Sequence, residues 1–417
     1  MCYVIMKIYF LFTLLFIMEN NEKKQKVNKI VDLIGFLSLN SQRKIQNIKV
    51  MKRSNIKVMK RSLIVGTYLL SLVCSCASEG TLDNGKPLSL MEDSKNMVEM
   101  AQLFTPLSMV ALDEKQSDKL KWISKIDYVN GRYYVLGGLE RGKLITFDSK
   151  GKFLMDIGDI GHASGEYVQA SDFAIDKANN RIAILEAPNK VLLYDMNGKF
   201  LFEKYFKKIS FWNIAWNNNE YILSTNNFGI QEKDKLLYVY DENFNLKNSY
   251  VDNLPYTIGM SNVLATPLQV DGNDVNYIDP VTKGIYTYKS KVADAQRTYK
   301  WLLPNPMPDK DYVHYKTFAE NQYRYDFILD AVVDENRILT SYKRGDYMFV
   351  NLMTRSGMSK TFGHIDVSLP KLIKGSGRYV FLAIRGREYL KDKAYFTKYK
   401  KGINNNDGYL IFKCKLK

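Results

Sequence analysis

The chain has 417 residues, of which 46% are hydrophobic, 13% aromatic and 25% charged, a balance that excludes a disordered chain. Its formal charge of +16 is concentrated at one end: residues 1–76 carry 13 Lys+Arg against 3 Asp+Glu, leaving 47 against 41 in the rest. The body is therefore only mildly basic, which excludes reading the net charge as a nucleic-acid polycation.

In chain order, the apolar run Met6–Met18 is at the short end for a spanning helix and is followed by a second leader-like segment. The octapeptide Asn47–Ser54 then recurs unchanged as Asn55–Ser62. This duplication predicts that translation starts at Met59 or Met51 and that residues 1–58 are an N-terminal extension. Met59-Lys60-Arg61-Ser62, the apolar stretch Leu63–Val73 and Cys74-Ser75-Cys76 together read as a signal peptide over residues 59–75. Val73-Cys74-Ser75-Cys76 resembles the bacterial lipobox, which implies lipidation of Cys76 and a membrane as its partner. The unusual Cys at the second lipobox position leaves Cys74 as a competing acceptor. With Cys2 and Cys74 removed and Cys76 acylated, Cys414 is left alone, so no disulfide framework is expected within the mature chain.

Residues 76–102 are polar and poor in aromatic side chains, as expected of a flexible tether. From residue 103 to 417 the texture changes to short runs of period two, such as Arg132–Leu136 and Arg181–Leu185, separated by Asn-Gly and Asp-Lys turn signals. One hairpin recurs: Leu144–Leu154 is matched by Val191–Leu201 and again by Leu237–Leu246. Phe147, Tyr194 and Tyr240 mark these copies, and Tyr286-Thr287-Tyr288, Tyr347–Val350 and Leu410-Ile411-Phe412 mark three weaker ones. Six copies at this spacing predict an all-β, six-bladed β-propeller of four-stranded antiparallel blades. The last repeat is one strand short, so Leu103–Val110 is expected to complete it and close the ring. A helix of one or two turns is expected within the insertion Asp311–Gln322.

Gly158–Tyr167, followed by Asp172–Asp176 and the Tyr194-Asp195 hairpin, resembles the junction of the first two blades in the six-bladed propeller lipoproteins of Bacteroidetes, relatives of NHL-repeat propellers. Those proteins usually carry Gly-Pro where this chain has Ser164-Gly165 before Glu166. The resemblance spans most of residues 103–417 and implies an envelope location, an outer-membrane lipoprotein facing either periplasm or surface. It implies a fold and little chemistry.

The candidate sites follow. Gly161, Gly165, Glu166 and Tyr167 form a loop at the channel mouth, in which Glu166 either meets a ligand or accepts backbone N–H bonds while Tyr167 packs between blades. Asp172, Asp271, Asp326 and Asp330 lie near expected inner strands, where a calcium site is the one cofactor considered. His162, His314 and His364 lack partners at zinc-ligand spacing. Arg385, Arg387 and Tyr389 open a basic, aromatic stretch read as a strand with charges on one face and rings on the other. Trp212 and Trp216 offer a sugar-stacking platform or blade core. No nucleophile elbow is present. The leading expectation is a non-catalytic binding or scaffold lipoprotein for a glycan, a peptide or a partner protein. The alternative is a metal-dependent hydrolase or lyase working in the channel.

Overall fold

The computed structural model describes residues 85–90, 96–138, 142–226, 235–252, 267–312, 314–365, 372–375, 379–391, 396, 399, 403 and 408–417. The leader and Cys76 lie outside the described residues. Strand β1 (Lys86–Ser89) comes first, then helix α1 (Met100–Leu103), strand β2 (Phe104–Ala111) and helix α2 (Glu114–Leu120). Blade 1 consists of β3 (Ile123–Val129), β4 (Arg132–Gly137), β5 (Lys143–Asp148) and β6 (Phe153–Ile157). The short parallel pair β7 (Asp159–Ile160) and β8 (Glu166–Tyr167) leads into blade 2: β9 (Asp172–Asp176), β10 (Arg181–Glu186), β11 (Lys190–Asp195) and β12 (Phe200–Tyr205). Blade 3 holds β13 (Asn213–Asn217), β14 (Glu220–Ser224), β15 (Lys235–Tyr240) and β16 (Leu246–Asp252). Blade 4 holds β17 (Leu268–Asp271), β18 (Asp274–Asp279), β19 (Gly284–Lys289) and β20 (Asp294–Leu302). After helix α3 (Tyr315–Asn321), blade 5 holds β21 (Asp326–Val333), β22 (Arg337–Arg344), β23 (Tyr347–Thr354) and β24 (Ser359–Ile365). Blade 6 is β25 (Leu372–Lys374), β26 (Val380–Arg385), helix α4 (Gly386–Lys391) and β27 (Tyr409–Leu416), with β2 as its outer strand.

The chain is thus a six-bladed propeller, and its early strand closes the ring: β2 pairs antiparallel with β27 from Phe104↔Leu416 to Ala111↔Leu410. Every repeat marker sits on the third strand of its blade. The Asp that follows the first three markers explains why the hairpin recurs. Asp148 Oδ1 accepts from Lys150 N and Lys152 N, Asp195 Oδ1 from Asn197 N and Lys199 N, and Asp241 Oδ1 from Asn243 N and Asn245 N. One carboxylate satisfies two turn amides each time, and the Lys152 N–H bond first among its contacts holds the Asp148 carboxyl below its usual range. A register shift falls between the third and fourth strands of all six blades, as between Leu193 and Tyr194, which adds twist to the outer strands.

Strand alternation supplies the core. Ile182, Ile184, Leu192 and Tyr194 point to blade 1, while Ala183, Leu185, Val191 and Leu193 point to blade 3. The same arrangement repeats, so each of the six seams between neighbouring blades holds one apolar cluster. Each blade keeps its neighbours dry, which is why the repeat must close on itself.

The segment expected to be a tether differs over its second half. β1 adds a fifth, parallel strand outside β20, with Leu88 and Leu90 buried beside Tyr299 and Trp301. Val98 N then donates to His364 O, His364 N donates to Asn96 O, and Val98, Met100 and Leu103 enter the seam between blades 5 and 6. A handful of well-spaced apolar residues in a polar stretch is enough to hold it along the outer blade edges. Among the described residues no helix is long and apolar enough to cross a membrane.

Candidate ligand-binding face

Antiparallel order sends the first-to-second and third-to-fourth strand turns of every blade to one face, and all other connections to the opposite face. The two faces differ sharply. On the first, the connections are turns such as 130–131, 149–152, 218–219, 272–273 and 334–336. On the second, among the described residues, lie 112–122, 158–171, 206–212 and most of 303–325. The long-loop face is the one able to vary and to carry recognition.

The centre of the ring is held by the protein's own polar groups. Innermost strands have no partner on the channel side, so their inner-edge N–H and C=O groups need other partners. Lys125, on β3, supplies some. Its Nζ lies 2.7 Å from Asp172 Oδ1, 2.8 Å from Phe173 O and 3.1 Å from Ile214 O, joining blades 1, 2 and 3. Asp172 Oδ2 in turn accepts from Ile214 N at 2.8 Å. Across the ring, the buried Gln269 of β17 donates from Nε2 to Ala331 O and accepts from Val333 N, matching the free edge of β21 as a strand would. At the tight-turn end Lys374 is buried; burial lowers its pKa, and the carboxylates of Asp271, Asp334 and Asp127 oppose that shift.

These contacts place the four candidate calcium aspartates. Asp172 pairs with Lys125, and Asp271 pairs with Arg355. Asp326 receives Arg344 in a fork, Nε to Oδ1 at 2.9 Å and Nη2 to Oδ2 at 3.0 Å. Asp330 Oδ1 accepts from Ala331 N. Three of the four thus have a cationic side chain of the protein itself. Among the described residues no three His, Cys, Asp or Glu side chains converge as a metal site.

The Gly161–Tyr167 loop is a structural brace away from the channel mouth. Glu166 Oε2 folds back to accept from Ala163 N, and Glu166 O accepts from Lys190 Nζ. Tyr167 is fully buried, accepts from Leu144 N and donates to Ile157 O, and burial pushes its pKa up. Gly165 O accepts from the Tyr194 hydroxyl. These partners sit on strands other than the innermost ones, so the channel-mouth placement is corrected: the loop crosses from the outer strand of blade 1 over the outer half of the seam. A Cβ at Gly161 would stand 1.9 Å from Glu166 Oε2, so the Glu166 side chain would have to leave its place in the brace.

The basic stretch of blade 6 also needs correction, since Gly386–Lys391 is helix α4 and the expected strand alternation is absent there. Tyr389 belongs to the core, with its hydroxyl 2.6 Å from Phe396 O and its ring against Phe412; burial pushes its pKa up to about 12. Arg385 lies over the Tyr409 ring, and Arg387 is exposed on the long-loop face. Trp216 packs on Tyr221 in the seam between blades 2 and 3, while Trp212 is half-buried beside the 206–212 linker.

That linker and the 187–189 turn enclose a cavity of about 490 Å³ on the long-loop face, lined by Pro188, Asn189, Phe206, Lys207, Lys208 and Ser210 among others. Sequence reading missed it because its walls come from two separate segments. The one local signal is Lys207-Lys208 directly after the buried Phe206.

Residues 78–359 match the DUF5128 family model, described as a 6-bladed beta-propeller. The chain belongs to this family. The DUF5128 propeller is similar in structure to a Bacteroides fragilis protein described as exported, with a TM-score of 0.66 and 18% identity over 80% of this chain and 100% of that one. It is also similar to a DUF4221 family member of Bacteroides vulgatus, with a TM-score of 0.52 and 8% identity over 75% and 98% of the two chains. Identities this low speak for the fold alone. No curated protein matches the DUF5128 propeller.

Proposed function

We propose that this chain is an exported binding or scaffold module, held at a bacterial outer membrane by lipid on Cys76, that offers its long-loop face to a glycan, a peptide or a partner protein. The asymmetry between the two faces carries this reading. Among the described residues, one side carries the tight turns within the blades, and the other carries the longer connections 112–122, 158–171, 206–212 and most of 303–325. The signal-like segment over residues 59–75 supports export, and acylation at Cys76 would supply the anchor.

Two measurements test it. In a Bacteroides host, Cys76→Ser should abolish incorporation of labelled fatty acid and release the protein from the membrane fraction; unchanged membrane retention contradicts the anchor. A glycan and peptide array screened with the folded domain should give ligands whose binding is lost on changes in the long loops. Ligands displaced by changes in the 130–131 or 272–273 turns instead contradict the choice of face.

A further inference from the structure

We infer that the cavity between the 187–189 turn and the 206–212 linker is a binding site for an acidic sugar unit, one bearing a carboxylate or a sulfate. The inference rests on the reading of the long-loop face as the binding face and names a ligand class for one place on it. At about 490 Å³ the cavity has the size of a small-ligand site. Its floor is fixed. Phe206 is buried, meets Phe211 edge-on at 4.8 Å, and both pack on Tyr240 of blade 3. Backbone bonds tie the two walls together, Phe206 N to Asn189 O at 2.8 Å and Phe211 N to Pro188 O at 2.6 Å. A site so braced meets its ligand without reordering.

The polar groups around this floor suit one chemistry. Lys207 and Lys208 are exposed on the rim, no acidic side chain among the described residues lines the cavity, and the local field therefore favours an anion. The Asn189 amide and the Ser210 hydroxyl offer donors and acceptors of the kind that sugar hydroxyls use. Pro188 lines the cavity and Phe206 floors it, so apolar surface stands beside the charges. An acidic peptide would use the lysines. A sugar ring would use the lysines, the amide and hydroxyl, and the Pro188 and Phe206 surface together, and that convergence favours the sugar.

The test is calorimetric titration of the folded protein with a uronate-containing, sulfated tetrasaccharide, with a neutral tetrasaccharide and with a Glu-rich peptide, at low and high salt. The expected result is binding of the acidic sugar that weakens with salt, falls about tenfold or more in Lys207→Ala/Lys208→Ala, and falls again in Asn189→Ala. Melting temperatures of the variants should match the parent because these side chains are exposed. Absent binding, or binding that the double lysine variant leaves unchanged, overturns the site. Equal binding of the Glu-rich peptide, untouched by Asn189→Ala, overturns the sugar class. A ligand lost only on changes in 303–325 or 386–408 overturns this site while leaving the face assignment standing.

Discussion

The ammonium of Lys125 on the innermost strand of blade 1 sits 2.7 Å from the Asp172 carboxylate at the start of blade 2, and it also reaches the Phe173 and Ile214 carbonyls on the unpaired edges of blades 2 and 3. A single cation thereby holds three blades together where a strand edge would otherwise face the channel. Asp172 is 7% exposed at its side chain and Lys125 12%, so the pair is largely removed from water. Breaking such a pair from one side leaves an uncompensated charge, whereas replacing both partners is far milder. Lys125→Met should lower the unfolding free energy by about 3 kcal/mol in urea titration. The double variant Lys125→Met/Asp172→Asn should recover part of that loss, giving a clear coupling energy in a double-mutant cycle. Additive single effects would show that the two side chains act independently.

Ring closure yields a second prediction. Gly151, in the outer turn of blade 1, has φ of 86°, and a Cβ there would meet Ala111 O, on the closing strand, at 2.1 Å. Gly131 has a similar φ of 77° with nothing near its Cβ position. Gly131→Ala should therefore cost about 1 kcal/mol of backbone strain, and Gly151→Ala about 3 kcal/mol, because a contact across the closure must also move. Equal melting temperatures for the two variants would refute a tight join at this point.

Alkaline pH should loosen the ring. Burial pushes the Cys414 thiol from its ordinary 9.0 up to about 12, and it raises the buried hydroxyls of Tyr167, Tyr194 and Tyr221. These groups keep their protons longer in the folded state than in the unfolded one. Their contribution is complete below the unfolded values and is lost as pH climbs toward the folded ones. The urea midpoint should fall steadily above about pH 9, and Cys414 should resist a thiol reagent at pH 8 until the protein unfolds. A flat midpoint through pH 11 would be inconsistent with these buried groups.

The blade 1 to blade 2 loop should prove structural. Gly161→Ala drives a methyl into the Glu166 carboxylate, and Glu166→Ala removes the acceptor of the Ala163 N–H. Each should cost about 1 to 2 kcal/mol and leave ligand binding by the folded protein intact. Loss of binding at unchanged stability would restore Glu166 as a ligand contact.

The first three blades were legible because each third strand leads into an aromatic residue and an Asp whose carboxylate closes the next turn, so sequence identity and hydrogen bonding recur together. Closure was legible from a missing strand in the last repeat. The channel braces were hidden. Lys125 and Gln269 are polar residues of inner strands with no sequence mark of their own, and only the ring brings their partners close, from blades 2 and 3 in one case and blade 5 in the other. The Arg385–Tyr389 stretch misled because alternating charges and rings fit a strand, whereas Tyr389 folds inward from a short helix onto Phe412. The polar segment before residue 103 hid Leu88, Leu90 and Val98, too few to register as a strand yet each buried.

Hydrogen–deuterium exchange on the intact protein, with and without the acidic tetrasaccharide, bears most directly on whether the long-loop face is where this propeller binds. Protection should gather in 187–189 and 206–212 and fade toward the turns at 130–131, 218–219 and 272–273. Protection centred on those turns, or on the channel strands around Lys125 and Gln269, would contradict it.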